Sequence, residues 1–253
     1  MAGPRRAGHR VDQRPVRGSA RACHDVPPMR RLKAGAALLI LTVSYYVVQV
    51  VVAARWAAPG YGWAGNMISD LGVPECLGDM SRYGLVPSRY ICSPWHAVMS
   101  TEFVLLGVLV LGAALCLTPL LPKTPLGRAV PLLALLNCVA IVLVGVFPGS
   151  ADEVPGGSRS RVVLHPTGAI AELVTGLAIM IIIAWLYRRY RAFALTTVAL
   201  IAVTLFGMVA SLAGDHLGLG AGAAERLAID PFVLWRVLTG ILLLAALPRL
   251  RPP

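Results

Sequence analysis

The chain has 253 residues, of which 57% are hydrophobic and only 14% charged, with a mean hydropathy of +0.72 and a formal net charge of +11. A soluble domain carries about a quarter of its residues as charged side chains, so the deficit excludes an ordinary water-soluble fold. The positive charge does not point to nucleic acid: Arg5, Arg6, Arg10, Arg14, Arg17, Arg21, Arg30, Arg31 and Lys33 stand together ahead of an apolar run, with no basic-plus-aromatic module, and no nucleic-acid partner is expected.

Apolar runs of roughly 20 residues recur along the chain, long enough to cross a hydrocarbon core of about 30 Å. Lipid offers no partner to free backbone groups, so such runs are read as helices. Residues 1–33 form a basic tail whose Pro, Gly and Arg content predicts disorder. Met29 opens a compact Met-Arg-Arg-Leu-Lys sequence and is a second candidate initiator. The membrane domain spans 34–247 and a short tail follows at 248–253.

Taken in order, the first segment runs from Ala34 to Ala54 and is too long for a signal peptide. A loop over 55–94 holds the breakers Pro59-Gly60, Gly62 and Pro74. The second segment, Trp95–Leu117, ends at Thr118-Pro119; the third, Ala129–Phe147, closes at Pro148-Gly149. The fourth, His165–Tyr187, stops at Arg188-Arg189-Tyr190-Arg191, and the fifth, Ala192–Ala213, ends at Gly214-Asp215-His216. A Gly/Ala-rich loop then holds Glu225-Arg226. Asp230-Pro231 is expected to start the sixth helix, since Asp caps well and Pro suits the first turn.

The fold class is therefore all-α, a polytopic bundle of six transmembrane helices. Its orientation follows from charge. The tail, Lys123/Arg128, Arg188/Arg189/Arg191 and Arg249/Arg251 all fall on one side, whose short pieces after the tail carry no acid, which makes that side cytoplasmic with both termini on it. The expected location is the plasma membrane, with membrane lipids as partners.

This orientation gathers polar residues on the outer side. Asn66, Ser69 and Asp70 lie in the first outer loop; His96 and His165 open helices; Asp215-His216 closes one; Glu225 and Arg226 sit in the last outer loop, and Arg236 lies just inside the sixth helix. Glu102 and Glu172 lie six and seven residues beyond His96 and His165, roughly 9–10 Å deeper. His165 and Glu172 share a helix face. Carboxylates inside spans are costly, which makes them functional candidates.

Several chemistries fit these residue types. Asp70, His96, His165 and His216 would suit zinc, although no paired-histidine spacing is present. Ser69 could act as a nucleophile with a histidine base, or Asn66 to Asp70 could simply make turn and capping bonds. Asp70, His165 and Glu172 are the further catalytic candidates. Asn66, Glu225, Arg226 and Arg236 are ligand-binding candidates, the guanidiniums suiting an anionic headgroup. Cys76 and Cys92 share the outer loop, where a disulfide is permitted. Gly107, Gly112, Gly145, Gly168, Gly176, Gly207 and Gly240 are placed to allow close helix packing.

From about Ala34 to Leu247 the chain resembles the domain of unknown function 998 family of six-helix bacterial and archaeal membrane proteins. The matching pieces are Asn66 to Gly72, Ser93-Pro94-Trp95-His96, Val144 to Pro148, His165 to Ala169, and Glu225-Arg226-Leu227 followed by Pro231 and Trp235. The resemblance implies fold and membrane location, and no activity. Three functions remain open: a non-catalytic lipid-binding or envelope-associated bundle, an outer-leaflet lipid hydrolase or transferase, and a transporter. The last is ranked lowest because no inverted repeat or pair of interrupted helices is visible.

Overall fold

A computed structural model describes residues 29–56, 58–79, 89–149 and 159–247. The basic tail before Met29 and the terminal piece 248–253 lie outside the described residues. Among the described residues, six helical spans of 22 to 27 residues are long and apolar enough to cross a membrane. At 1.5 Å per residue, even 22 residues extend about 33 Å, matching a hydrocarbon core. The chain is an integral membrane protein.

The first span comprises α1 (Met29–Leu41) and α2 (Ser44–Ala53). They meet at Thr42, whose buried hydroxyl donates to the Leu39 carbonyl at 2.6 Å. Backbone bonds from Val43 to Ile40 and from Tyr45 to Thr42 tighten the joint into a single turn. A loop with a 3₁₀ turn at Ser69–Gly72 and a two-residue hairpin, β1 (Gly78–Asp79) with β2 (Tyr90–Ile91), leads to α3 (His96–Leu117). Then come α4 (Pro125–Val146), α5 (Arg159–Leu186), α6 (Arg191–Leu212) and α7 (Ala221–Ala246).

The spans form a ring. α1 packs on α3, α3 on α4, α4 on α5, α5 on α6, α6 on α7, and α7 returns to α1 while also touching α5. Small residues make these contacts close, as membrane packing requires where there is no hydrophobic drive between helices. A Cβ on Gly168 would stand 2.8 Å from the Ala140 carbonyl, one on Gly145 2.7 Å from the Ser100 carbonyl, and one on Gly240 2.6 Å from the Ala36 carbonyl. At Gly207 it would meet the backbone of Ala228.

Several boundaries differ from the sequence expectation: α1 begins at Met29 rather than Ala34, α4 at Pro125 rather than Ala129, and the shifts at the polar end have physical reasons. α7 begins at Ala221 rather than Asp230, so Glu225 and Arg226 are helical and Pro231 is interior. Ala221 to Ala224 is rich in the best helix former, and a proline inside a membrane helix is tolerated where neighbours cover the freed carbonyl. α5 begins at Arg159, which carries His165 and Pro166 inside the helix. α6 ends at Leu212, leaving His216 in a separate 3₁₀ turn with its φ at +52°.

Candidate functional site

Polar side chains concentrate at the end of the bundle where α3, α5 and α7 begin. The loop there is built around Asn66 and Asp70. Asn66 accepts from the Gly62 amide through Oδ1 at 3.1 Å and donates through Nδ2 to the Tyr90 carbonyl at 2.8 Å. Asp70 is fully buried and accepts from the Met67 amide at 2.9 Å, which ties the 3₁₀ turn to the residue ahead of it. Arg89 donates from Nε to both Asp70 oxygens at 3.0 and 3.2 Å, forming an ion pair whose two side chains are 7% and 0% exposed. Ser93 donates to the Leu71 carbonyl at 2.7 Å, and Cys76 is joined to Cys92 beside the hairpin. The turn is thus fastened to the strands on one side and to α3 on the other.

α7 locks this loop from below. A Cβ at Gly222 would collide with the Asn66 carbonyl, so only glycine lets the helix approach. One turn on, the Arg226 Nη1 donates to the carbonyls of Trp63, Asn66 and Gly222 at 2.8, 3.0 and 3.0 Å, and Nη2 donates to the Tyr61 hydroxyl. Its guanidinium also lies over the rings of Trp63 and Tyr61, at 4.9 and 5.4 Å. Burial pushes the Tyr61 phenol well above its ordinary value, with Arg226 pulling the other way. Tyr61 therefore remains a neutral donor, to the carbonyls of Asn66 and Met67. Glu225 accepts from the Ile68 amide and also hydrogen-bonds Ser69.

Behind the turn lies a cavity of about 30 Å³ lined by Tyr45, Ser69, His165, Glu172 and Glu225, with apolar walls that include Phe103 and Val144. This is room for about two water molecules. His165 sits with Nδ1 2.8 Å from the Phe147 carbonyl, which assigns the ring proton to that nitrogen because a carbonyl only accepts. Below the cavity the network continues to mid-bundle. Arg236 donates to Asn137 Oδ1 at 3.0 Å, and Asn137 donates to the Glu172 carbonyl at 3.0 Å and the Thr175 hydroxyl at 2.9 Å. Arg236 is fifteen residues into α7, roughly 22 Å from its start, so it is not near the helix entrance as the sequence reading placed it. Glu102 pairs with the Ser44 hydroxyl at 2.6 Å, a contact between the first span and α3.

Of the sequence candidates, Ser69, His165, Glu172 and Glu225 share the cavity. Asp70 is adjacent in sequence but committed to Arg89, Asn66 and Met67. Arg226 faces backbone carbonyls and aromatic rings. The four residues matched to zinc do not come together: among the described residues no three His, Cys, Asp or Glu side chains are grouped to hold a metal ion. The sequence reading gave no site role to Tyr45 or Arg89 and took Asp230 only as a helix cap. Tyr45 and Tyr46 reach Asp230, through its carboxylate at 3.3 Å and its carbonyl at 2.6 Å. The signal for them was a run of polar side chains, Ser44-Tyr45-Tyr46 and Gln49, in the middle of an apolar span.

No curated protein and no solved structure matches this chain. A family model described as a protein of unknown function does match, over residues 39–242, which reach into every span and take in the whole cavity lining. The chain belongs to that family, DUF998.

Proposed function

We propose that this protein is a non-catalytic, lipid-contacting bundle of the plasma membrane, with its polar end on the extracytoplasmic side. The observation that carries this reading is that the strongest polar groups at that end are used internally. Arg226 spends its donors on three backbone carbonyls and a tyrosine, and Asp70 is ion-paired to Arg89, so neither is poised toward a reacting molecule. The cavity, at about 30 Å³, is far below the several hundred Å³ of a ligand pocket. What the rim offers outward is Trp63 and Trp95, 46% and 39% exposed, with Arg55 held 5.0 Å over the Trp95 ring. Amphipathic aromatic rings next to a cation suit the headgroup layer.

The orientation draws on the opposite end, where Arg30, Arg31, Lys33, Lys123, Arg128, Arg188, Arg189 and Arg191 stand with no acid among the described residues. Native mass spectrometry of the detergent-purified full chain tests the lipid contact. Bound phospholipid is expected on the wild type and reduced on a variant carrying Arg55→Ala and Trp95→Ala. A lipid-free wild type would sink the reading.

A second reading, an outer-leaflet lipid hydrolase or transferase, is favoured by one observation: Ser69, His165 and Glu172 line the same cavity. Ser69 would supply the hydroxyl nucleophile and His165 the base. Turnover of labelled phospholipid or sphingolipid in proteoliposomes, abolished by Ser69→Ala in folded protein, would put this reading first.

A further inference from the structure

We propose that the turn between α5 and α6 is a binding surface for the phosphate of an anionic phospholipid. The inference rests on the lipid-contacting reading of the bundle, but it uses the opposite end from Arg55 and Trp95.

The stretch from Trp185 to Arg191 sets cations on aromatic rings. Arg188 lies 4.5 Å over the Trp185 ring and donates to the Trp185 carbonyl at 3.0 Å, and Arg189 lies 4.8 Å over the Tyr190 ring. The Tyr187 and Tyr190 rings stack with their centroids 6.4 Å apart. A guanidinium already resting on a ring loses little further freedom when it meets a ligand, and its planar fork matches two phosphate oxygens. The Tyr187 hydroxyl also donates to the Leu120 carbonyl, which holds the connection between α3 and α4, with its exposed Lys123, beside the turn.

This charge has no counter-charge within the chain's described residues. The same end holds Arg30, Arg31, Lys33 and Arg128, and no Asp or Glu stands there among the described residues. The helices α1, α4 and α6 begin at this end, so the positive ends of their dipoles add to the excess instead of offsetting it. A field of one sign selects an anion. At the polar end Asp70 and Glu75 answer Arg89 and Arg161, so comparable selectivity is not expected there.

Depth decides that the anion is a lipid. Ile181 on α5 and Leu195 on α6 are exposed apolar side chains of the two spans that flank the turn. Arg191 stands four residues before Leu195, about 6 Å along the helix. The headgroup layer on each side of the hydrocarbon is about 5–7 Å thick, so the arginines fall at phosphate depth. Trp185 and Tyr190, both exposed, occupy the interfacial position that amphipathic rings favour. Cations at that depth meet lipid phosphate ahead of any soluble polyanion, and an acyl chain of the same molecule has Ile181 or Leu195 to lie against.

The test reconstitutes the full chain in phosphatidylcholine vesicles and measures, by electron paramagnetic resonance, how much of a spin-labelled lipid is immobilised on the protein. Labelled phosphatidylglycerol is expected to associate roughly fivefold more strongly than labelled phosphatidylcholine, the effect of about one phosphate-facing cation. Arg188→Gln with Arg189→Gln should bring that ratio close to one. Arg30→Gln with Lys33→Gln removes as much charge from exposed positions of the same end and should leave most of the preference in place. An equal fall in both variants would mean that a diffuse field acts and would overturn the site. Free glycerol phosphate at constant ionic strength should leave the ratio unchanged; a ratio that it collapses would assign the turn to soluble phosphates and overturn the lipid. Arg55→Ala with Trp95→Ala should keep the preference, so failure of the contact at the polar end and failure of selectivity here are read separately. A wild-type ratio below about twofold, well short of the effect of one cation, overturns the proposal without recourse to any variant.

Discussion

The two ends of this bundle handle charge in opposite ways. At the end where α1, α4 and α6 begin, the charges among the described residues are all of one sign, and the helix termini are served by single contacts. Arg31 donates to the Leu115 carbonyl at 2.6 Å, Arg188 to the Trp185 carbonyl at 3.0 Å, and Tyr187 to the Leu120 carbonyl at 2.6 Å. Long side chains there rest on aromatic faces, Arg188 over Trp185 at 4.5 Å and Arg189 over Tyr190 at 4.8 Å. At the other end, acids and bases are mixed and held by other segments of the chain: Asp70 and Arg89 form a buried pair, Arg226 is given to the carbonyls around Asn66, and Arg161 meets Glu75 in a partly exposed pair. Water and headgroups can satisfy exposed charges of one sign in any geometry. Buried charges of both signs need a particular geometry, and the loop, disulfide and α7 entrance supply it.

That contrast ranks the effects of substitutions. The largest is expected at the buried pair: Asp70→Ala removes the carboxylate from a nearly buried Arg89 and should cost about 3–5 kcal/mol. Unfolding by SDS titration in mixed micelles measures it, and a loss under 1 kcal/mol would mean that the polar end is no more geometric than the basic one. Next is the loop closure. Cys76 and Cys92 are 16 residues apart, and replacing both with serine should cost about 3 kcal/mol on the chain-entropy argument, read from the same titration.

A smaller effect is expected where α7 slides under the loop. Gly222→Ala forces a methyl group against the Asn66 carbonyl and should cost about 1–3 kcal/mol. The companion change Gly65→Ala meets open space and serves as the control. Smallest of all, Arg188→Ala with Arg191→Ala should leave the unfolding midpoint unmoved, because water already serves these groups. The same pair should instead weaken topology, read as altered labelling of single cysteines from the two sides of the membrane. A large stability loss there would erase the distinction between the ends.

Much of this molecule was legible from sequence because lipid imposes its rule locally. Each apolar run had to become a helix, and Gly168, Gly207 and Gly240 marked where helices come close. The motif pieces around Asn66, Trp95, His165 and Glu225 fall within the residues matched by the family model. Boundaries were less legible where polar residues turned out to be helical. Glu225-Arg226 looks like loop composition, and Asp230-Pro231 looks like a helix start, yet α7 runs through both. The misreading came from weighing a cap and a proline above an alanine-rich turn whose polar side chains find partners across the bundle.

The sequence by itself determined the class of the protein, the number of its spans and the sign of charge at each end, because those depend on length, hydropathy and composition alone. Which polar side chains meet was decided only by tertiary structure. Ser69, His165, Glu172 and Glu225 come from three separate stretches and reach one cavity, while His96 and His216, equally polar, do not join it. Arg89 and Asp70 are separated by 19 residues and find each other because the hairpin and 3₁₀ turn bring them together. Hydropathy sets how deep a residue lies; only the packing of the helix ring sets which way it faces.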